Sequence, residues 1–182
     1  MRLALEHVRF IAEKIARDLA ASNLVTFTQG MDPIIEIAQK HLTDEVKLER
    51  TVDAEVNRIM EDQDDEISFY QADRKQLFWM IKRKVAAEEG LILEKDDRFN
   101  NLAHRILNDL YEEDLINYTI SENRIKNLIS KAILDYGRRQ DELEDKVHEK
   151  LKSYKRNVQR GTEEYDILFA KLYEEEIAKL GL

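Results

Sequence analysis

The chain has 182 residues, 43% of them apolar and 37% charged, with a net charge of −9 at neutral pH, one proline and no cysteine. The missing thiols exclude disulfides, thiolate metal sites and cysteine nucleophiles, and a reducing compartment is the simplest setting. The acidic balance argues against general nucleic-acid binding, which needs a surplus of cations to neutralise phosphates.

The first helix is expected over about 3–22, where Leu5, Val8, Ile11, Ala12, Ile15 and Leu19 form one stripe at helical spacing. LVTFT at 24–28 switches to β-branched residues in alternation and predicts a short extended link. Gly30 breaks the chain. Asp32 followed by Pro33 is a strong helix start, with the aspartate expected to cap orphan amides. The second helix then runs to about Gln63 on Ile34, Ile37, Ala38, Leu42, Val46, Val52, Val56 and Ile59. A third, over about 67–89, holds the most apolar cluster, LFWMI at 77–81, and stops at Gly90, suited to a left-handed cap.

The second half follows the same order. Asp96 and Asp97 open a fourth helix, LINYTI at 115–120 is a second extended link, and Ser121 starts a fifth helix reaching about Val158. Gly161 and Thr162 break and cap again, and the sixth helix is expected to end at Gly181. A shift of 91 residues aligns Ala12 with Ala103, Ile15 with Ile106, Leu19 with Leu110, Thr28 with Thr119, Val56 with Val147, Phe78 with Phe169 and Gly90 with Gly181. The expected architecture is therefore all-α. It has two similar three-helix halves, 1–91 and 92–182, produced by internal duplication, whose two links pair as a small ribbon. The order resembles a histone doublet, although the acidity and the over-long last helices count against that comparison.

Four segments carry a family resemblance: MRLALEHVRFIAEKIARDL at the start, QLFWMIKRK at 76–84, LYEEDLINYTISENRIKNLI at 110–129 and GTEEYDILFAKLYEEE at 161–176. Together they resemble the bacterial family catalogued as domain of unknown function 507, over essentially the whole chain. The resemblance implies a bacterial cytosolic protein and brings no site residues with it. A cytoplasmic location also fits an N-terminus without an uninterrupted apolar core, and no apolar run approaches the ~20 residues of a membrane span.

The sequence carries no recognisable catalytic or metal-binding signature. A carboxylate-bridged di-iron centre would need Glu-x-x-His pairs on two helices. Among His7, His41, His104 and His148, only His148 has an acid three residues before it, Asp145. No nucleophile elbow and no glycine-rich phosphate loop is present. Paired acids such as Glu112 and Glu113 read as solvated helix faces. No cofactor or catalytic residue is expected, and the protein is read as a non-enzyme.

Two segments remain as candidate surfaces. The cluster around Phe78, Trp79 and Met80 puts apolar residues on every side of its helix, which reads first as a buried core and second as a docking surface anchored by Trp79. Trp79 falls opposite Ala170 in the repeat. The stretch 150–160 is basic and carries Lys150, Lys152, Lys155, Arg156 and Arg160. The shift sets Glu61, Asp64 and Asp65 against Lys152, Lys155 and Arg156, so pairing of unlike charges within the molecule is expected ahead of phosphate contact. The leading function is a protein-interaction or scaffold role with a protein partner. The alternatives are a nucleic-acid- or ribosome-associated factor using the basic stripe, and an enzyme with an unfamiliar site.

Overall fold

The computed structural model describes residues 3–65, 73–153 and 161–180. The fold is all-α with a minimal ribbon: α1 (Leu5–Ala21), β1 (Thr26–Phe27), α2 (Asp32–Asp62), α3 (Arg74–Glu89), α4 (Lys95–Glu112), β2 (Ile116–Asn117), α5 (Glu122–Ser153) and α6 (Glu163–Leu180). It divides into two compact units, residues 3–134 and residues 135 onward.

In the larger unit, α1 buries Val8, Ile11, Ala12, Ile15, Ala16 and Leu19, the inward stripe of an amphipathic helix. α2 packs along α1, α3 and α4. α4 contributes Phe99, Leu102, Ala103, Ile106, Leu107 and Leu110, and α5 adds Ile125, Ile129, Ala132 and Ile133. Each such Leu, Ile or Phe stabilises the fold by about 1.5–3 kcal/mol when fully buried.

The two extended links pair antiparallel, with Thr26 opposite Asn117 and Phe27 opposite Ile116. Thr28 fastens the ribbon further: its amide donates to the Leu115 carbonyl at 3.1 Å, and its hydroxyl to the Asp114 carbonyl at 2.5 Å. Just beyond the ends of α1 and α4, Asn23 and Asp114 both take left-handed backbone with φ 54°. Asn and Asp are the non-glycine residues that tolerate this region best.

Several helix starts differ from expectation. Met31, not Asp32, is the N-cap of α2, and no side chain caps that end. Asp32 lies inside the first turn, where its charge still meets the positive end of the helix dipole. α3 begins at Arg74, with the Asp73 carboxylate accepting from the amides of Lys75 and Gln76 at 2.9 and 3.1 Å. The earlier start expected at 67 lies outside the described residues. α4 begins at Lys95, where Glu94 accepts from the Asp97 amide at 2.7 Å. At the other end of α3, Gly90 has φ 76°, and the Leu91 amide closes onto the Ala86 carbonyl at 2.8 Å. This is the left-handed glycine stop the sequence announces.

Among the described residues, one charged side chain is buried. Glu45 of α2 is 3% exposed and is flanked by two α4 arginines. Arg98 donates to Glu45 at 2.7 Å and to Glu49 at 3.0 Å, and Arg105 donates to the second Glu45 oxygen. A buried carboxylate must be paired in this way, because an unpaired one costs several kcal/mol. One turn earlier on α2, His41 Nε2 lies 2.7 Å from Asp109 of α4.

The second unit joins the later part of α5 to α6. Val147, Leu151 and Leu172 form its centre, flanked by Tyr165, Leu168, Phe169 and Tyr173. Three rings on α6 run in a stacked row at successive turns, Tyr165 to Phe169 to Tyr173, with centroids 6.3 and 5.9 Å apart. His148 of α5 sits against Tyr165 and Phe169, its Nδ1 2.5 Å from the Tyr165 hydroxyl.

Candidate interaction surface on the third helix

The sequence RKQLFWMIKRKVAAEE of α3 puts two chemistries on one helix. Ile81, Val85 and Ala86 turn inward onto Val52 and Val56 of α2 and onto Leu91, with Leu77 and Phe78 packed at the margin. These positions recur at three- and four-residue spacing, so they fall on one side. Lys75, Gln76, Trp79, Met80 and Arg83 occupy the opposite side, and all five are exposed.

The expectation that the whole cluster is buried within the chain's own core is therefore corrected. Trp79 is 45% exposed and Met80 61%, while Phe78 is half-buried. A two-helix packing covers only the stripe facing α2, and nothing else in the described residues covers the other side. The candidate partner surface keeps Trp79 and Met80 outward, with Phe78 as their footing.

Trp79 is held from below. Its ring meets the Phe78 ring edge-on, with centroids 5.9 Å apart and planes at 87°. The Lys82 ammonium lies 5.7 Å from the Trp79 ring centre and 5.9 Å from that of Phe78, which is cation–π range. That ammonium also donates to Asp53 of α2 at 2.7 Å, so it is anchored on both sides. Around the rim, Arg74 pairs with Asp64 at 2.5 Å and Lys84 approaches Glu88 at 4.0 Å. Lys75 and Arg83 form no ion pair among the described residues. Among the described residues the surface is thus an apolar centre flanked by two cations without an ion pair.

Of the basic stripe, Lys150 and Lys152 lie among the described residues. Lys150 donates to Glu176 of α6, and Lys152 donates to Glu149 on its own helix at 2.6 Å. Lys155, Arg156 and Arg160 lie outside the described residues. Of the charge pairs expected from the repeat, Lys152 is engaged with Glu149 and Asp64 with Arg74, each inside its own unit. The Lys152 hydrogen bond, with its charge, holds the Glu149 carboxyl below the usual carboxylate range.

Two further features were not visible in the sequence. An open depression of about 510 Å³ between α4 and the start of α5 is lined by Asp97, Asn100, His104, Glu122 and Lys126, with His104 3.1 Å from Glu122. Both of that pair are more than half exposed, so water screens them. Nearby, burial first, and then the charges of Glu122 and Tyr111, push the Tyr118 phenol up. Among the described residues no group of three or more His, Asp or Glu is placed to hold a metal ion. His148, the one histidine with a metal-like sequence neighbour, is engaged with Tyr165.

The class these features define is a helical protein of two compact units, with an exposed aromatic face on one helix and no helix among the described residues long and apolar enough to cross a membrane. The chain belongs to the family described as "Protein of unknown function (DUF507)", whose model matches residues 1–182. Comparison with curated proteins gives no match.

Proposed function

We propose that this is a non-enzymatic protein-interaction protein of the bacterial cytosol, working through the outer face of α3. The observation that carries the reading is the outward Trp79–Met80 pair flanked by the exposed Lys75 and Arg83. Tryptophan concentrates binding energy when a partner desolvates it, and methionine adapts to irregular apolar surfaces. Phe78 and Lys82 fix the Trp79 ring in advance, which lowers the ordering cost of binding. The cations select a partner segment with acids around an apolar or small-residue centre. The absence of cysteine from all 182 residues suits a reducing cytosol.

Aromatic side chains among cations also suit single-stranded nucleic acid. The net charge of −9 weighs against that alternative. The test is affinity capture from a bacterial lysate, with and without nuclease, using the natural chain beside a Trp79→Ala, Met80→Ser variant. A protein that survives nuclease, is lost with the variant and rebinds as a purified component supports the reading. Recovery of nucleic acid, with proteins released on digestion, contradicts it and turns attention to the cations from Lys150 to Arg160.

A further inference from the structure

The outer face of α6 is the chemical complement of the outer face of α3. Around α6 the inward positions are Tyr165, Phe169 and Leu172, and the opposite side presents Asp166, Ile167, Ala170 and Glu174, all exposed. Ile167 is 63% exposed. The 91-residue shift sets Lys75 against Asp166, Trp79 against Ala170 and Arg83 against Glu174. At equivalent places on two helices of the same rank in the fold, both charges are reversed and the largest side chain meets one of the smallest.

We infer that the α3 face of one molecule docks on the α6 face of a second copy. The inference rests on the reading that α3 is an interaction surface, and it names the occupant. The spacing is what helix-on-helix packing requires. Lys75, Trp79 and Arg83 are four residues apart, as are Asp166, Ala170 and Glu174, so each trio lies along one ridge. Trp79 falls over Ala170, where a small residue leaves room for the indole, and Met80 and Ile167 extend the apolar contact. Equal spacing lets either chain direction align both charge pairs, and opposed helix dipoles favour the antiparallel one. Lys75 then meets Glu174, and Arg83 meets Asp166.

The contact is heterologous, because the two surfaces differ. Each molecule offers one of each, so association continues head to tail until it closes into a ring or extends as a chain. Charge reversal on either face blocks it while leaving the inward stripes untouched.

The test uses the full chain, whose single tryptophan reports on this face alone. Light scattering across a concentration series should show the mass of the natural chain rising from 21.5 kDa to at least twice that, with a blue shift of Trp79 emission. Lys75→Glu with Arg83→Glu, and separately Asp166→Lys with Glu174→Lys, should each stay monomeric, with an unchanged helical circular dichroism spectrum. Mixed in equal amounts, the two variants should associate again, because the natural α3 face of one meets the natural α6 face of the other and the two reversed faces carry complementary charges. Failure of the mixture to associate, or a natural chain monomeric at all concentrations, overturns the inference. The α3 reading then stands or falls separately on whether Trp79→Ala, Met80→Ser loses a captured partner.

Discussion

Glu45 of α2 and Arg98 of α4 meet at 2.7 Å with the carboxylate almost fully removed from water. Arg105 takes the second oxygen and Glu49 shares Arg98, so two acids and two bases lock the long helix to α4. Removing Glu45 leaves Arg98 still paired with Glu49 and takes a carboxylate from Arg105, whose side chain is 40% exposed. Glu45→Ala should therefore destabilise the protein by about 1–3 kcal/mol, the scale of lost hydrogen bonds to a charged group. Urea unfolding followed by circular dichroism measures it, and a loss below about 1 kcal/mol would show the network to be solvated.

The two sides of α3 should respond oppositely to truncation. Ile81→Ala removes a side chain packed on Val52 and Val56 and should cost about 2–5 kcal/mol of stability. Trp79→Ala should cost about 1 kcal/mol, since it loses only the edge-on Phe78 contact and the Lys82 cation–π contact. The same variant should lose partner binding. Equal destabilisation by both substitutions would show Trp79 to be a core residue.

Asp114 occupies left-handed backbone beyond the end of α4 while its carbonyl receives Thr28. Asp114→Gly keeps that conformation without a Cβ and should be neutral or slightly stabilising. Asp114→Val should cost about 1–2 kcal/mol, because a β-branched residue is strained there. Thermal melting of both variants decides it, and equal melting temperatures would contradict the assigned backbone.

Much of this architecture is legible in residue spacing, and the places where legibility stops have physical causes. The stripe Val8, Ile11, Ala12, Ile15 and Leu19 admits one inward face, and it is the face that is buried. The β-branched links at 24–28 and 115–120 pair as the alternation suggests, and Gly90 stops α3 in the left-handed region. LFWMI is ambiguous because five consecutive apolar residues cover more than a full turn. Only the positions of Val52 and Val56 select Ile81 over Trp79 as the inward residue. Glu45 reads as a solvated acid on sequence alone, since its two arginines lie on a different helix. The cap at Asp73 is hidden for a related reason: the acidic run before it offers several equally good helix starts.

The Glu149–Lys152 pair gives a pH-dependent prediction. The folded carboxyl titrates below the usual range because Lys152 donates to it. Its contribution to stability is thus fully present above the ordinary glutamate titration and is lost as pH falls through the folded one. In Lys152→Ala, the Glu149 side-chain carbon followed by NMR should titrate higher, in the ordinary carboxylate range. An unchanged titration would show that the pair does not form and leave Lys152 free for another ligand.

Site-specific photo-crosslinking in living bacteria would decide most directly whether α3 is a protein-binding face. A photoreactive phenylalanine analogue is placed at Trp79, with exposed Lys131 of α5 as the control. The outward aromatic predicts discrete protein adducts from position 79 that position 131 does not give. No adduct from position 79, adducts alike from both positions, or nucleic acid alone at position 79 would contradict it.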